Sequence, residues 1–294
     1  MNVQRSFTQS NGGKLYVVAT PIGNLEDITV RALKTLEQVD LIAAEDTRNS
    51  KKLLNHFEIH KPLVSYHEHN KRSREDYLLE TLKEGKDVAI ISDAGMPAIS
   101  DPGYEVVKAA VEHNISVIVI PGANAALTAL VGSGLPTDEF YYYGFLPRKK
   151  KERVEELTRL SSLPTTLIFY ESPYRIEDTV QTIVEVLGNR PICLARELTK
   201  KFEEYARGTG QEIIDWLKEE TIRGEFCIVV EGNQRKGKEE DKQWWAPLSI
   251  EQHVTHYITE LGLKSKDAIK KVALERDIPK REVYQAFHVE QDNE

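Results

Sequence analysis

"IISDAGMPAISDPG", residues 90–103, starts as an apolar strand and stops abruptly. Two Asp, two Gly and two Pro follow within a dozen positions, and then the pattern turns helical. Three other runs behave the same way. "LYVVAT" (15–20) leads into "PIGN", "LIAAED" (41–46) into "AEDTRNS", and "VIVIPG" (117–122) into "PGANAALTAL". Near-continuous apolar strands of this length are expected where both faces of a sheet are covered. Helix-length segments lie between them, the clearest at 29–39 and 103–113. This βα alternation predicts a mostly parallel sheet, and such sheets bind ligands beyond the carboxyl ends of their strands. One Gly/Pro-rich βα loop is ordinary turn chemistry. Four at equivalent strand ends predict a cleft rimmed by exposed backbone amides and carbonyls.

The pattern breaks at "GSGLPTDEF" (132–140), and a second α/β unit follows with strands near 140–146, 165–172, 191–199 and 225–232 and a helix at 174–187. After Gly232, "NQRKGKEEDKQ" reads as a charged linker. The tail beyond it carries tryptophans at 244 and 245 and helical apolar spacing through Ile269, Val272, Ala273, Val283 and Phe287. Pro279 suits the start of its last helix. Helix, turn, helix with Lys280 and Arg281 leading fits a small nucleic-acid-binding module, and equally a helical hairpin used for packing or dimerisation. The expected domains are 1–132, 133–233 and 234–294.

Composition narrows the classes. The 294 residues are 40% hydrophobic and 29% charged, with a net charge of −8, which argues against a simple basic nucleic-acid coat. Basic runs such as "RKKKER" (148–153) could still track phosphates or serve as solvated helix faces. No apolar run approaches the roughly 20 residues that span a bilayer, and the N-terminus lacks the apolar stretch of a signal peptide. A soluble cytoplasmic protein is expected, with Cys193 and Cys227 as packed thiols.

"TPIGNLED" does not match G-x-G-x-x-G and no Walker A sequence occurs, so NAD and ATP have little support. Small residues from Asp93 to Gly95 would instead let a ligand approach the backbone closely. Asp101 before Pro102 also fits a helix cap. Glu45, Asp46 and Arg48 meet at a second strand end, where they could hold a polar substrate, or where Asp46 could cap a helix while Arg48 pairs with Glu45. "SYHEHNKRSRED" (65–76) brings His67, Lys71, Arg72 and Arg74 into one loop, a candidate for phosphate contacts or a solvated loop. With no Cys or third His near His67 and His69, no metal site is expected.

Together, "LYVVATPIGNLEDITVRALKTLEQVDLIAAEDTR", "SDAGMPAISDPG", "PGANAAL", "FYESPYRI" and "ARELTKKFEE" resemble the tetrapyrrole methylase family of S-adenosylmethionine methyltransferases. Within it they resemble the branch acting on small-subunit ribosomal RNA. The resemblance runs from about residue 15 to 232, and the helical tail resembles an extension of that branch. It implies two α/β domains with S-adenosylmethionine in the cleft between them, a homodimer, and 2′-O-methylation of a cytidine ribose in 16S rRNA, free or in the assembled small subunit. Carried over, it assigns cofactor contacts to Pro21, Gly23, Asp93, Ala94, Gly95, Ile99, Ala125, Ala126, Tyr170, Glu171, Ala195, Glu225 and Phe226. The family's usual Gly-Asp-Pro reads Gly95-Met96-Pro97 here, which removes a polar role at that position. A ribose hydroxyl needs a base near neutral pH; Glu45, Asp46, Arg48 and Asp101 are the expected catalytic border, and Lys200 and Lys201 join the basic loop as RNA contacts. Two rival readings are a tetrapyrrole-precursor methyltransferase and a non-catalytic RNA-binding protein.

Overall fold

The computed structural model describes residues 3–5, 12–68, 70–234 and 245–289. Residues 235–243 of the predicted linker (233–243), Trp244 and His69 lie outside them. The chain divides into two compact units, Met1–Asn233 and Gln234–Glu294.

The larger unit holds two five-stranded sheets. In the first, β1 (Leu15–Val18), β2 (Leu41–Ala44), β3 (Leu63–Ser65), β4 (Val88–Ile91) and β5 (Val117–Ile120) run parallel in the order β3-β2-β4-β1-β5. Its inner strands β1, β2 and β4 are continuously apolar because both faces are covered. Leu15, Val17, Leu41, Ala43, Val88 and Ile90 pack on α3 (Lys71–Lys83) and α4 (Tyr104–Glu112), through Leu78, Leu82, Val106 and Ala110. Val18, Ile42, Ala44, Ala89 and Ile91 pack on α1 (Val30–Gln38) and α2 (Thr47–His56), through Ala32, Leu36 and Leu54. Thr29 and Asp46 cap α1 and α2 by accepting the amides of Ala32 and Arg48.

The second sheet has the order β6-β7-β10-β8-β9, built from β6 (Phe140–Phe145), β7 (Thr166–Glu171), β8 (Pro191–Arg196), β9 (Glu204–Thr209) and β10 (Phe226–Val230). Only β6 and β7 are parallel; the other pairs are antiparallel. One face is covered by α6 (Lys150–Leu160), α7 (Ile176–Leu187) and α8 (Gly210–Glu219). The other is covered by α5 (Ala125–Ser133), through Ala126, Ala129 and Leu130 against Ile168, Cys193, Cys227 and Val229. Thus a helix that follows the first sheet in sequence is part of the second sheet's core. This interlock ties the two sheets into one unit and fixes the loops between them. Cys193 and Cys227 are free, buried thiols, and burial pushes Cys193 up to about 11.

The smaller unit contains α9 (Ile250–Thr259), α10 (Ser265–Glu275) and α11 (Lys280–Val289) around Val254, Ile269, Val272, Val283 and Phe287. Ser249 and Gln252 form a capping box at α9. Arg276 donates to the carbonyls of Trp245, Leu248 and Ser249 and lies over the Trp245 ring, 4.6 Å from its centroid. Among the described residues no helix is long and apolar enough to cross a membrane.

Candidate active site

The βα loops of the first sheet meet the second sheet at a cleft of about 330 Å³, near the lower end of the usual range for small-molecule sites. Its floor is the broken stretch after β4. Gly95 bonds Thr20 in both directions, at 2.9 and 3.0 Å, and so locks the loop after β4 to the loop after β1. Asp93, Ala94, Gly95, Met96 and Ile99 line this wall, with Ile22 from the β1 loop and Asn124 and Ala125 from the β5 loop. Asn124 also caps α5, accepting the amide of Leu127 at 3.0 Å. The opposite wall comes from the second sheet: Tyr170, Ala195, Glu225 and Phe226, with Glu197, Leu198 and Lys200 from the loop after β8. The Tyr170 hydroxyl accepts the Ala126 amide at 3.0 Å, stitching α5 to β7.

Backbone strain gathers here. Ala98, Ser100, Glu197 and Thr199 all have positive φ, between 50 and 68°, in the two loops that face each other across the cleft. Left-handed non-glycine residues are costly and persist where surrounding contacts hold them, often at functional sites. Ser100 is held by the Tyr142 hydroxyl at 2.6 Å. That contact needs Gly144: β6 bulges between Tyr142 and Gly144, and a Cβ at Gly144 would lie 2.8 Å from the Ser100 hydroxyl oxygen.

The electrostatics are one-sided. Glu45, Asp93, Asp101, Glu197 and Glu225 line the cleft against Lys200, which Glu197 pairs at 2.9 Å. Burial pushes Asp101 up to about 7, helped by the neighbouring charges of Glu45, Asp93 and Glu225. Burial also raises Glu45. A second hollow opens beside the cleft, lined by Glu45, His67, Glu68, Ser100, Asp101 and Pro102. Glu45, Ser100 and Asp101 therefore stand at the junction of the two cavities. A carboxyl that titrates near neutrality at such a junction is suited to accept a proton from a group in one cavity that reacts with a group in the other.

Several expected site residues fall elsewhere. Pro21, Gly23 and Ala126 support the walls rather than line them; a Cβ at Gly23 would meet the Lys200 side chain at 2.5 Å. Asp46 caps α2 and is held by Arg48 through two hydrogen bonds of 3.1 and 2.7 Å, which press its carboxyl down to about 2. Arg48 thus pairs with Asp46 and not with Glu45. Both lie outside the cleft lining, and their loop is tied to it at Asp93, which accepts from the Asp46 amide and from Asn49. Asp101 is no helix cap: α4 begins at Tyr104 after Gly103, with no side-chain cap. Glu171 does line the cleft, but its carboxylate is engaged by the Ser172 amide, Thr179 and Arg175. His67 lines the second hollow. Lys71 and Arg72 lie in the first turn of α3, their side chains outside the described residues, and Arg74 sits 5.9 Å from the Tyr77 ring centre. The basic run 148–153 is largely engaged: Lys149 and Lys150 pair with Glu152 and Glu185, and Arg153 is buried against Thr182. Ser100, Asn124, Tyr142, Phe145, Glu197 and Leu198 were not singled out from sequence. Ser100, Asn124 and Glu197 lie inside the quoted motifs, but their chemistry depends on partners far along the chain.

Known proteins share this arrangement. Residues 14–214 match the family described as Tetrapyrrole (Corrin/Porphyrin) Methylases. The chain is 56% identical over 291 residues to the ribosomal RNA small subunit methyltransferase I of Halalkalibacterium halodurans, covering 99% of this chain and 100% of the relative. It is 54% identical to the protein of that name in Bacillus subtilis, covering 98% and 99%. The uroporphyrin-III C-methyltransferase of Thermus thermophilus, solved with S-adenyl homocysteine, has the same fold at 19% identity and a TM-score of 0.51, covering 74% of this chain and 97% of that one. With its two interlocked sheets and its cleft at the loop ends, the chain belongs to the tetrapyrrole methylase family, beside relatives called ribosomal RNA small subunit methyltransferase I.

Proposed function

We propose that the chain transfers a methyl group from S-adenosylmethionine to the 2′-hydroxyl of a cytidine in small-subunit ribosomal RNA, in the cytoplasm. The observation that carries this reading is the pair of cavities joined at Glu45, Ser100 and Asp101. The main cleft fits a sulfonium cofactor: small residues and bare backbone at Ala94, Gly95, Ala125 and Ala195 admit close approach, and the carboxylate lining favours a cation. The same lining disfavours nucleotide phosphates. The Thermus uroporphyrin-III enzyme's S-adenyl homocysteine is consistent with it, and the names of the full-length relatives support the RNA substrate.

The bound cofactor supplies a methyl already activated by positive sulfur. Alignment is then the main work of the protein. Gly95 and Ala125 hold one wall, Tyr170 fixes the other to α5, and Ser100 holds the Asp101 loop against Tyr142. As the O–C bond forms and the C–S bond breaks, Asp101 takes the hydroxyl proton. A carboxylate-rich tetrapyrrole precursor would bring its own anions against Glu45, Glu68 and Asp101 in the second hollow, whereas an RNA nucleotide can enter it with its uncharged base and ribose and keep its phosphates outside. Ribose-methylation mapping of rRNA from cells with and without the protein tests the assignment: one 2′-O-methylcytidine of 16S rRNA should vanish. An unchanged map, or transfer by the purified enzyme only to a corrinoid precursor, defeats it.

A homodimer is part of the same proposal. Val119 on the edge strand β5 is 54% exposed, and Leu127 and Val131, one turn apart on the helix that follows, are 49% and 79% exposed. Gln4 pairs with the β5 edge at Val117. Val131→Glu together with Leu127→Glu should convert the dimer to monomer in sedimentation velocity, with the secondary structure retained by circular dichroism and a melting temperature that no longer depends on protein concentration. A wild-type protein that sediments as a monomer at micromolar concentration would remove this part.

A further inference from the structure

Register in the second sheet brings three loops to one end. Phe226 pairs with Glu171, the last residue of β7, on one side and with Arg196, the last residue of β8, on the other. Phe145, closing β6, pairs with Tyr170. The loops after β6, β7 and β8 therefore leave the sheet at the cleft. An aromatic side chain is exposed at each exit: Phe145, the last residue of β6, at 52% exposure, and Tyr174 and Phe202, in the loops after β7 and β8, at 95% and 73%. Phe145 lines the cleft itself.

These rings sit on tied backbone. Arg175 donates to the carbonyls of Leu146 and Pro147 and pairs with Glu171, clamping the Tyr174 loop to the loop after β6. In the Phe202 loop, Thr199 is held at φ 65° by the Glu203 carboxylate on its amide and by the Asn24 amide on its hydroxyl. A β-branched residue in that conformation is an outlier, kept only where the loop's shape is over-determined. Lys201 lies 5.5 Å from the Phe202 ring centre. Among the described residues, no ion pair joins Lys201 or Arg148 to a carboxylate, whereas Glu197 engages Lys200. Rigid exposed aromatics interleaved with uncompensated cations match single-stranded nucleic acid, whose bases stack on rings while phosphates meet Lys and Arg.

We propose that Tyr174 and Phe202 are stacking platforms for unpaired RNA bases flanking the target nucleotide, with Arg148 and Lys201 on the adjoining phosphates. β7 and β8 are separated by one strand, placing the two loop bases about 10 Å apart, a spacing suited to bases on either side of an extruded nucleotide. The inference rests on the RNA reading above and names which part of the chain grips the strand.

The test measures methyl transfer to purified small ribosomal subunits, binding of a short single-stranded RNA, and calorimetric S-adenosylhomocysteine affinity. Phe202→Ala and Tyr174→Ala should each weaken RNA binding about tenfold or more, from the stacking lost per base, with cofactor affinity unchanged. Phe202→Trp should retain RNA affinity and Phe202→Leu should not, because stacking needs a π-face and apolar packing does not. Lys201→Gln should lower the slope of log affinity against log salt by about one unit. A Leu variant equal to wild type, or Ala variants that change only the sedimentation of the protein, would overturn the platform and assign the rings to a protein contact. A wild-type chain that binds cofactor yet neither binds nor methylates RNA would bring down the functional reading itself.

Discussion

Asp101→Asn is expected to lower methyl transfer to small ribosomal subunits by roughly 10²–10⁴-fold, the usual worth of a positioned general base, while S-adenosylhomocysteine affinity stays within a few-fold of wild type. The amide keeps the shape of the carboxyl and the Ser100–Tyr142 anchor beside it, but cannot take a proton. Wild-type activity should rise with pH through about 7, because the carboxyl must be ionised to act and burial holds it up to about 7. The variant should lose that ascending limb. Saturation with the cationic donor should move the wild-type limb to lower pH, since a positive charge nearby favours the carboxylate.

The stability sign separates this effect from misfolding. The folded-state value of Asp101 lies above the ordinary 3.8, so between those pH values the folded protein keeps a proton that the unfolded chain has released. Its contribution therefore falls as pH rises from about 4 to about 7. Asn carries no such cost, and the variant should melt at or above the wild-type temperature at pH 8. An inactive variant that melts well below wild type would point to structural damage. Full activity would remove Asp101 as the base and leave Glu45, the other raised carboxyl at the junction.

What could be read from sequence follows physical lines. The strands β1, β2 and β4 were legible because burial on both faces demands unbroken apolar runs, and their Gly/Pro-rich exits located the cleft. The edge strands β3 and β9 were not, although β5 and β6, also at sheet edges, carry apolar or aromatic runs and were. β9, "EYARGT", is half-buried and carries charge, and β3 has only three residues, so neither shows a run or a clear alternation. Asp101 and Asp46 each carried two readings, helix cap or catalytic carboxylate, and spacing alone did not divide them. An Asp before Pro fits a cap, but Gly103, at φ 147°, starts the helix later and frees Asp101 for the cleft. Asp46 looked catalytic by its company, yet local geometry makes it the cap and the partner of Arg48. Glu171 stood in a family motif, and only the fold reveals that Arg175 and Thr179 claim its carboxylate. Ser100 and Tyr142, 42 positions apart, meet through a strand bulge that sequence spacing does not encode.

Gly95→Val is expected to weaken S-adenosylmethionine binding by about 100-fold or more, and Gly95→Ala by about tenfold. Gly95 has φ 82°, and an added Cβ would stand 3.3 Å from Cγ2 of Ile22 and 3.7 Å from the Ala123 carbonyl. Left-handed backbone costs an L-residue about 1–2 kcal/mol, and branching at Cβ raises that cost and crowds Ile22 further. Relief by twisting the loop would break its paired bonds to Thr20 and shift the floor of the cleft, so strain and affinity are coupled. Gly85 supplies the control. It has nearly the same conformation, φ 87°, with no atom within 4 Å of its would-be Cβ, and lies just after α3 away from the cleft wall. Gly85→Ala should cost melting temperature comparably, a few degrees for a unit of this size, and leave calorimetric cofactor affinity unchanged. If Gly95→Val keeps wild-type affinity, the turn is not the wall of the cofactor site; if Gly85→Ala loses affinity as well, the loss reports global destabilisation and the cleft assignment of Gly95 fails with it.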